Sequence, residues 1–261
     1  MRITSDANPH YKQLRRLSAG PRACREEGRT LAEGIHLVEC AAGAQADIHG
    51  VVLSEEATAE ARSLGTAVAA KVGCRLIELS PRLYNALSPV EHGSGLMAEI
   101  AVTKRALPHA LEADAVYLDG VQDPGNAGTL LRTAAAAGVR HVAASTGTTF
   151  LWSPKVLRAA MGAHFVLALY EEVAADQLAG AFAAERLAAD VHGTESLYSA
   201  GWGMTPTLWL FGAEGTGLTG TTAMQAQRRL RIPIDSKVES LNVAAAAAVC
   251  LFEQQRRRGK F

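Results

Sequence analysis

Apolar residues in the first hundred positions recur in short runs that alternate with segments of helical spacing. Asn8 and Pro9 precede Tyr11, Leu14 and Leu17, which repeat every three residues, so a helix beginning at Pro9 is predicted. Strands are predicted at 29–34, 50–53, 75–79 and 96–101, with helices at 35–41, 55–71 and from Pro81. This alternation predicts a small α/β domain over residues 1–103.

The same alternation continues after a polar, proline-containing segment at 104–114, which is interpreted as a linker. Strands are predicted near 115–118, 141–145, 165–169, 187–191, 207–211 and 230–234, with helices between them. Strands that alternate with helices form parallel sheets. Residues 115–261 are therefore expected to form a second α/β domain, with helices on both faces of a parallel sheet.

Composition indicates the class of protein, and the distribution of charge indicates a candidate binding surface. The chain has 261 residues, of which 48% are hydrophobic and 20% charged, as expected for a folded globular protein. The net charge is zero, but residues 1–29 contain seven arginines and lysines against three acidic residues, and the tail adds Arg256, Arg257, Arg258 and Lys260. These clusters are candidates for binding a polyanion, and an ordinary solvated surface is the alternative.

Cysteine and histidine spacing argues against metal or disulfide chemistry. Cys24, Cys40, Cys74 and Cys250 form no CxxC pair, and the eight histidines form no HxxxH or HExxH pair, so buried free thiols and no metal site are expected. No apolar run approaches ~20 residues, and the first six residues lack the apolar segment of a signal peptide. The sequence predicts a cytoplasmic protein that does not enter a membrane.

Three loops carry the candidate chemistry, and the first follows the predicted strand at 115–118. The stretch 118–135 predicts a strand, a tight loop and a helix, with Asn126 as the N-cap and Gly138 just after the helix end. Asn126 and Arg132 are six positions apart near the start of this helix. Both are expected to face a site at the carboxyl end of the strand, where open α/β sheets bind ligands. An ordinary connection is the alternative.

The second and third loops are rich in glycine and polar residues. Stretch 208–218 leads from an apolar strand into a loop with three glycines and Glu214, whose spacing matches neither a P-loop nor the dinucleotide fingerprint. A plain turn is the alternative for this loop. In stretch 232–243, Ser240 is expected to cap the long helix that follows. Asn242 in its first turn costs helix propensity unless it makes a contact.

In order and spacing, these stretches resemble the three signature motifs of the SpoU-type, or TrmH-like, RNA 2′-O-ribose methyltransferases of the SPOUT superfamily. Asn8-Pro9, the segment 29–34 and the strand near 96–101 resemble the L30e-like substrate-binding domain of two-domain members. Where many relatives have a Pro-Gln-Gly turn, this chain has His92-Gly93-Ser94-Gly95. The resemblance implies an α/β fold whose C-terminal parallel-sheet SPOUT domain is knotted as a deep trefoil, with a smaller N-terminal α/β L30e-like domain.

The resemblance also implies a site, a cofactor and partners. It implies S-adenosylmethionine as the cofactor, RNA as the substrate, and a homodimer whose active site uses both subunits. The implied donor contacts are Gly212, Gly217, Ile232 and Leu241. The implied catalytic residues are Asn126, Arg132, Glu214, Ser240 and Asn242. The candidate RNA-binding residues are Lys12, Arg15, Arg16, Arg22, Arg25 and Arg29.

The reaction implied is methyl transfer to a ribose 2′-hydroxyl, so RNA rather than DNA is expected as substrate. Arg132 is implied to activate the hydroxyl, either as a base or by binding a phosphate, and the second role suits a guanidinium better. The additional N-terminal domain favours ribosomal RNA, 23S in particular. Open alternatives are transfer RNA, a noncatalytic ribosome-assembly factor, a nucleotide-dependent oxidoreductase, and an antibiotic-resistance methylase.

Overall fold

The structure is a computed structural model that describes residues 1–88, 93–199 and 201–259. His92 of the predicted turn and Lys260 of the basic tail lie outside the described residues. The strands, numbered along the chain, are β1 Arg2–Ile3, β2 Arg29–Glu33, β3 Ile48–Ser54, β4 Arg75–Leu79, β5 Leu96–Ala101, β6 Ala115–Asp119, β7 His141–Ala144, β8 Ala168–Tyr170, β9 Glu185–Ala189, β10 Glu195–Ser196, β11 Thr207–Gly212 and β12 Arg228–Arg231. The helices are α1 Pro9–Ala19, α2 Pro21–Glu27, α3 Ile35–Gly43, α4 Ala59–Val72, α5 Pro81–Asn85, α6 Pro124–Ala136, α7 Pro154–Ala160, α8 Leu178–Ala181, α9 Gly220–Ala223 and α10 Val243–Arg257. Short 3₁₀ helices cover Ala163–Phe165 and Ala175–Gln177.

The chain forms two compact units that are not contiguous in sequence. The first comprises Met1–Thr103 and Trp152–Phe165, and the second comprises Lys104–Leu151 and Val166–Phe261. The segment expected as a linker belongs to the second unit. Its Leu111 pairs with the backbone after α8, donating to Ala181 O at 2.9 Å and accepting from Ala183 N at 3.0 Å.

The first unit contains a mixed five-stranded sheet in the order β1-β4-β3-β5-β2, in which β5 is antiparallel to both of its neighbours. The predicted helix α1 is present, because the Asn8 side chain accepts from the backbone of His10 and Tyr11, and Tyr11, Leu14 and Leu17 are buried. Helix α2, which the spacing did not predict, ends at Gly28 in the left-handed conformation.

Helix α7 belongs to the first unit although it begins 51 positions beyond residue 103, within the segment Trp152–Phe165. It packs on β2. At its end, the His36 ring nitrogen Nε2 lies 3.2 Å from Met161 O, and a Cβ at Gly162 would lie 2.8 Å from Cys40 Sγ. The fold of the first unit therefore includes a helix contributed by the second half of the chain.

The second unit contains a seven-stranded sheet in the order β10-β12-β9-β11-β6-β7-β8, and every pairing in it is parallel. The predicted α/β class with a parallel sheet is confirmed. Strand β6 is an interior strand of this sheet and is fully buried. Burial raises the pKa of Tyr117 to about 12, and its hydroxyl donates to Val173 O at 2.9 Å. The chain runs from β6 towards β8 and then returns to the other side of β6. The β6/β11 boundary is therefore a topological switch point, where such sheets bind ligands.

Several predicted details are corrected. The strand expected at 165–169 is β8 at Ala168–Tyr170, because Ala163–Phe165 forms a 3₁₀ turn. Strands β9 and β12 each lie two residues earlier than predicted. Cys24 and Cys250 are buried as expected, whereas Cys40 and Cys74 are half-buried, and all four are free thiols. In the described part of the chain, no helix is long and apolar enough to cross a membrane.

Candidate active site

The loop after β6 is fixed by its polar side chains. The N-cap of α6 is Asp123, not Asn126 as predicted, since Pro124 occupies the first helical position and Asp123 Oδ1 accepts from Asn126 N at 2.8 Å. The amide side chain of Asn126 is thereby left available for tertiary contacts. Helix α6 ends at Ala136, and Gly138, which was expected just after the helix end, has a positive φ of 75°.

The glycine-rich loop after β11 folds back on its own strand. Ala213 and Gly217 exchange two backbone hydrogen bonds, with Ala213 N donating to Gly217 O at 3.1 Å and Gly217 N donating to Ala213 O at 2.9 Å. A Cβ at Gly212 would overlap the backbone of Gly217 and Leu218, so this position requires glycine. Gly215 and Gly217 also have positive φ angles of 87° and 68°. The turn exposes Glu214.

The third loop ends at the N-terminus of α10. Its N-cap is Asn242 rather than the predicted Ser240, because the Asn242 side chain oxygen accepts from Ala244 N at 2.9 Å and from Ala245 N at 3.3 Å. The helix-propensity cost expected for Asn242 does not arise, since asparagine is among the preferred residues at an N-cap. Ser240 lies two residues earlier in the exposed loop.

A chain of hydrogen bonds connects these three loops. The Asn126 amide Nδ2 donates to Glu214 Oε1, and the Asn242 amide Nδ2 donates to Asn126 Oδ1 at 3.0 Å. Because Asn242 Oδ1 accepts from the backbone of α10, its amide can orient in only one way. That orientation in turn fixes the amide of Asn126 and leaves Glu214 as the terminal acceptor of the chain.

A cavity of about 800 Å³ lies beside this hydrogen-bonded chain, at the carboxyl edge of the parallel sheet. It is lined by all four implied donor contacts and three of the implied catalytic residues: Gly212, Gly217, Ile232, Leu241, Glu214, Ser240 and Asn242. A loop that the sequence did not predict, at 190–192 after β9, contributes Asp190 and His192. The strand predicted at 187–191 included Asp190, so no loop was expected at this position. Because β9 ends at Ala189, Asp190 is the first residue of a loop.

Arg132 lies apart from the other implied catalytic residues. It is exposed on α6, does not line the cavity, and makes no hydrogen bond or ion pair among the described residues. Six residues of α-helix correspond to a rotation of about 600°, which leaves Arg132 and Asn126 roughly 120° apart around α6. The two residues thus lie on different faces of α6, and the expectation that both side chains face one site stays a prediction.

Three of the six predicted RNA-binding cations form ion pairs with carboxylates. In the first unit, Arg16 lies 3.4 Å from Glu27, Arg22 lies 2.8 Å from Glu26, and the Arg29 guanidinium donates to the buried carboxylate of Glu99 at 2.8 Å. Lys12 and Arg15 are exposed and have no ion pair among the described residues. Arg25 is also exposed.

The basic tail has a structural role. Arg256 and Arg257 contact Glu253 at 2.7 and 2.8 Å, and the hydrogen bond from Arg256 lowers the pKa of that carboxyl. Arg258 pairs with Asp114. These contacts fix the end of α10, and polyanion binding by the tail stays a prediction.

Fold and site together define an α/β protein with a ligand cavity at the switch point of a parallel sheet. The model of the SpoU rRNA Methylase family matches residues 114–252, and the chain belongs to this family. The model of the MRM3-like substrate binding domain matches residues 8–98. The predicted family is thereby confirmed.

Individual relatives span nearly the whole chain. An uncharacterized tRNA/rRNA methyltransferase of Synechocystis sp. is 31% identical over 265 residues, covering 98% of this chain and 94% of that protein. The 23S rRNA (guanosine(2553)-2′-O)-methyltransferase RlmP of Bacillus subtilis is 30% identical, covering 85% and 86%. The crystal structure of AdoMet-bound rRNA methyltransferase from Sinorhizobium meliloti matches with a TM-score of 0.86 at 27% identity, covering 98% of each chain.

Proposed function

We propose that this protein is an enzyme that transfers a methyl group from S-adenosylmethionine to a ribose 2′-hydroxyl of ribosomal RNA, with 23S rRNA as the favoured target. The observation that carries this proposal is the hydrogen-bonded chain of Asn126, Glu214 and Asn242 beside the cavity, in a member of the SpoU family. Relatives named as 23S rRNA 2′-O-methyltransferases support the choice of RNA. Action on ribosomal RNA in turn favours a cytoplasmic location.

The cavity suits S-adenosylmethionine in size and in lining. Its volume of about 800 Å³ lies within the range of small-molecule sites, roughly 300–1,000 Å³. Gly212 and Gly217 bring the glycine-rich loop to the cavity wall, Ile232 and Leu241 provide apolar surface, and Glu214 and Asp190 provide hydrogen-bond acceptors. When bound, the cofactor supplies an electrophilic methyl group.

The residues of the chain then orient the acceptor nucleotide. Asn126 and Asn242 present amide groups of fixed orientation beside the cavity, and we assign them to positioning the ribose. We assign Arg132 to binding the phosphate of the target nucleotide, because a guanidinium has five N–H donors and no acceptor, which makes it a poor base and an excellent phosphate ligand. The hydroxyl proton passes to that phosphate or to solvent.

We infer a homodimer from the exposed position of Arg132. The side chain is exposed and does not line the cavity of its own copy. A second copy of the chain that places its Arg132 near this cavity completes the site. This arrangement supports the homodimer with shared active sites that the family resemblance implies.

Methyl transfer to RNA tests the proposed function directly. Labelled S-adenosylmethionine is incubated with the protein and with unmodified ribosomal RNA or transfer RNA, and the RNA is then hydrolysed with alkali. We expect label from the ribosomal RNA in an alkali-resistant dinucleotide, because a methylated 2′-oxygen cannot attack the adjacent phosphate. Label only in transfer RNA identifies the alternative substrate. Ribosome-assembly intermediates are tested in the same way. If the protein binds the cofactor but transfers no methyl group to any of these substrates, the enzyme assignment is contradicted and the noncatalytic factor is favoured.

We propose that the first unit binds RNA through the unpaired cations of α1. Replacing both Lys12 and Arg15 with alanine is expected to weaken RNA binding and to reduce the slope of log K against log salt by about 1.4, since each phosphate contact to single-stranded RNA contributes about 0.7. Binding assays between about 50 and 200 mM salt measure this slope. Lys71 and Arg75, two exposed cations on α4 and β4, provide the matched control. An unchanged slope in the Lys12/Arg15 variant refutes the assignment.

A further inference from the structure

The unpredicted loop after β9 has a defined structure. Strand β9 lies between β11 and β12, so its loop enters the cavity beside the glycine-rich loop that follows β11. A Cβ at Gly193 would lie 2.7 Å from Arg229 O, which shows that the loop packs closely against β12. Asp190 N also donates to Leu230 O at 3.0 Å. The backbone at Asp190 is therefore fixed on the sheet.

The side chain of Asp190 is also held in place by neighbouring groups. Its Oδ1 accepts from His192 N at 2.9 Å, and its Oδ2 lies 3.6 Å from the Arg229 guanidinium. The side chain is 21% exposed, and both Asp190 and Arg229 line the cavity. An ionised carboxylate accepts about four hydrogen bonds, so these two partners leave acceptor capacity for a ligand.

The other carboxylates of the cavity are placed differently. Glu214 accepts from Asn126 at the end where the implied catalytic residues lie, and Glu239 belongs to the exposed loop before α10. Neighbouring strands are about 4.8 Å apart, so Asp190 lies one strand away from Gly212, on the side of the cavity opposite β6. In α/β nucleotide sites, an acidic residue that follows a neighbouring strand accepts from ribose hydroxyls.

We propose that Asp190, oriented by Arg229, binds the ribose hydroxyls of the methyl donor. This inference rests on the proposed function, because it assumes that the cavity binds S-adenosylmethionine. Asp190 is then a donor-binding residue that fixes the adenosine part of the cofactor. The transferable group consequently points towards Asn126, Glu214 and Asn242.

Binding of two adenosine ligands to the full chain tests the proposal. S-adenosylhomocysteine has both the adenosine and the amino-acid part, whereas 5′-methylthioadenosine has the adenosine with its ribose hydroxyls but no amino-acid part. We expect Asp190→Asn to weaken the binding of both ligands by the same factor, about tenfold or more, because it removes charge-assisted hydrogen bonds to the ribose hydroxyls. Isothermal titration calorimetry gives both dissociation constants.

Asp235→Asn is the matched control. Asp235 Oδ1 makes the same turn, accepting from Lys237 N at 2.9 Å, but Asp235 does not line the cavity, so both affinities stay at the wild-type value. A methylthioadenosine analogue without ribose hydroxyls corrects for misfolding: it binds the wild type and Asp190→Asn equally. The proposal is overturned if Asp190→Asn leaves methylthioadenosine binding unchanged, or if the analogue weakens in parallel. Failure of the wild type to bind either adenosine ligand overturns the proposed function as well.

Discussion

Replacing Arg132 with alanine is expected to abolish methyl transfer to RNA while leaving the affinity for S-adenosylmethionine at the wild-type value. Arg132 is exposed and does not line the cavity, so its removal leaves the donor site intact. A group that orients and activates the acceptor hydroxyl contributes about 10²–10⁴-fold to the rate, and single-turnover transfer should fall by at least that much. Arg132→Lys keeps the charge without the planar fork and is expected to recover only part of the rate.

Arg140 provides the matched control for this prediction. It is also an exposed arginine, placed just after α6, and its side chain donates to Ala135 O at 2.7 Å. Arg140→Ala is expected to transfer methyl groups at the wild-type rate. Loss of cofactor binding in Arg132→Ala contradicts the role assigned to Arg132. If a second copy supplies Arg132, mixing inactive Arg132→Ala with an inactive Asn242 variant restores transfer, because a mixed dimer contains one intact site.

Substitutions of Asn242 are expected to separate its two roles. Asn242→Asp keeps a side-chain oxygen for the backbone of α10 but loses the amide that donates to Asn126, so stability is retained while transfer falls by about 10² or more. Asn242→Ala loses both contacts and should also lower the free energy of unfolding by about 1 kcal/mol. Thermal unfolding and single-turnover transfer measure the two effects.

Asn242→Ser is the companion variant for this pair. Serine is a good N-cap, so this variant should match Asn242→Asp in stability and in loss of transfer. Wild-type transfer by Asn242→Asp would remove Asn242 from the set of positioning residues. Equal destabilisation by aspartate and alanine would show instead that the capping contact is not the source of its structural effect.

The location of the site could be predicted from sequence because it depends on local pattern. Glycine, proline and asparagine follow apolar runs, and parallel strands all end at one edge of a sheet. The pattern placed Asn126, Glu214 and Asn242 near the ends of loops that follow apolar runs, and the family resemblance implied that they share one site. The structure connects these three side chains by hydrogen bonds. Their catalytic roles remain predictions.

Details that depend on one residue or on distant partners could not be predicted. Asp123 rather than Asn126 caps α6 because Pro124 fixes where the helix begins, and both candidates lie within three positions. The predicted strand 187–191 ends two residues after β9 does, so Asp190 was expected inside a strand and not in a loop of the site. Arg29 pairs with Glu99, which lies 70 positions away in the sequence. A pattern of neighbouring residues cannot predict such a contact.

The position of α7 has a consequence for how this architecture can be recombined. The chain passes between the two units at residues 103–104, 151–152 and 165–166. A gene fusion that exchanges the first 103 residues for those of a relative would retain the native α7 against a foreign β2. Exchange of the whole first unit between relatives therefore requires two segments to be grafted together, and α7 must diverge in step with β2, a strand encoded more than 100 residues upstream.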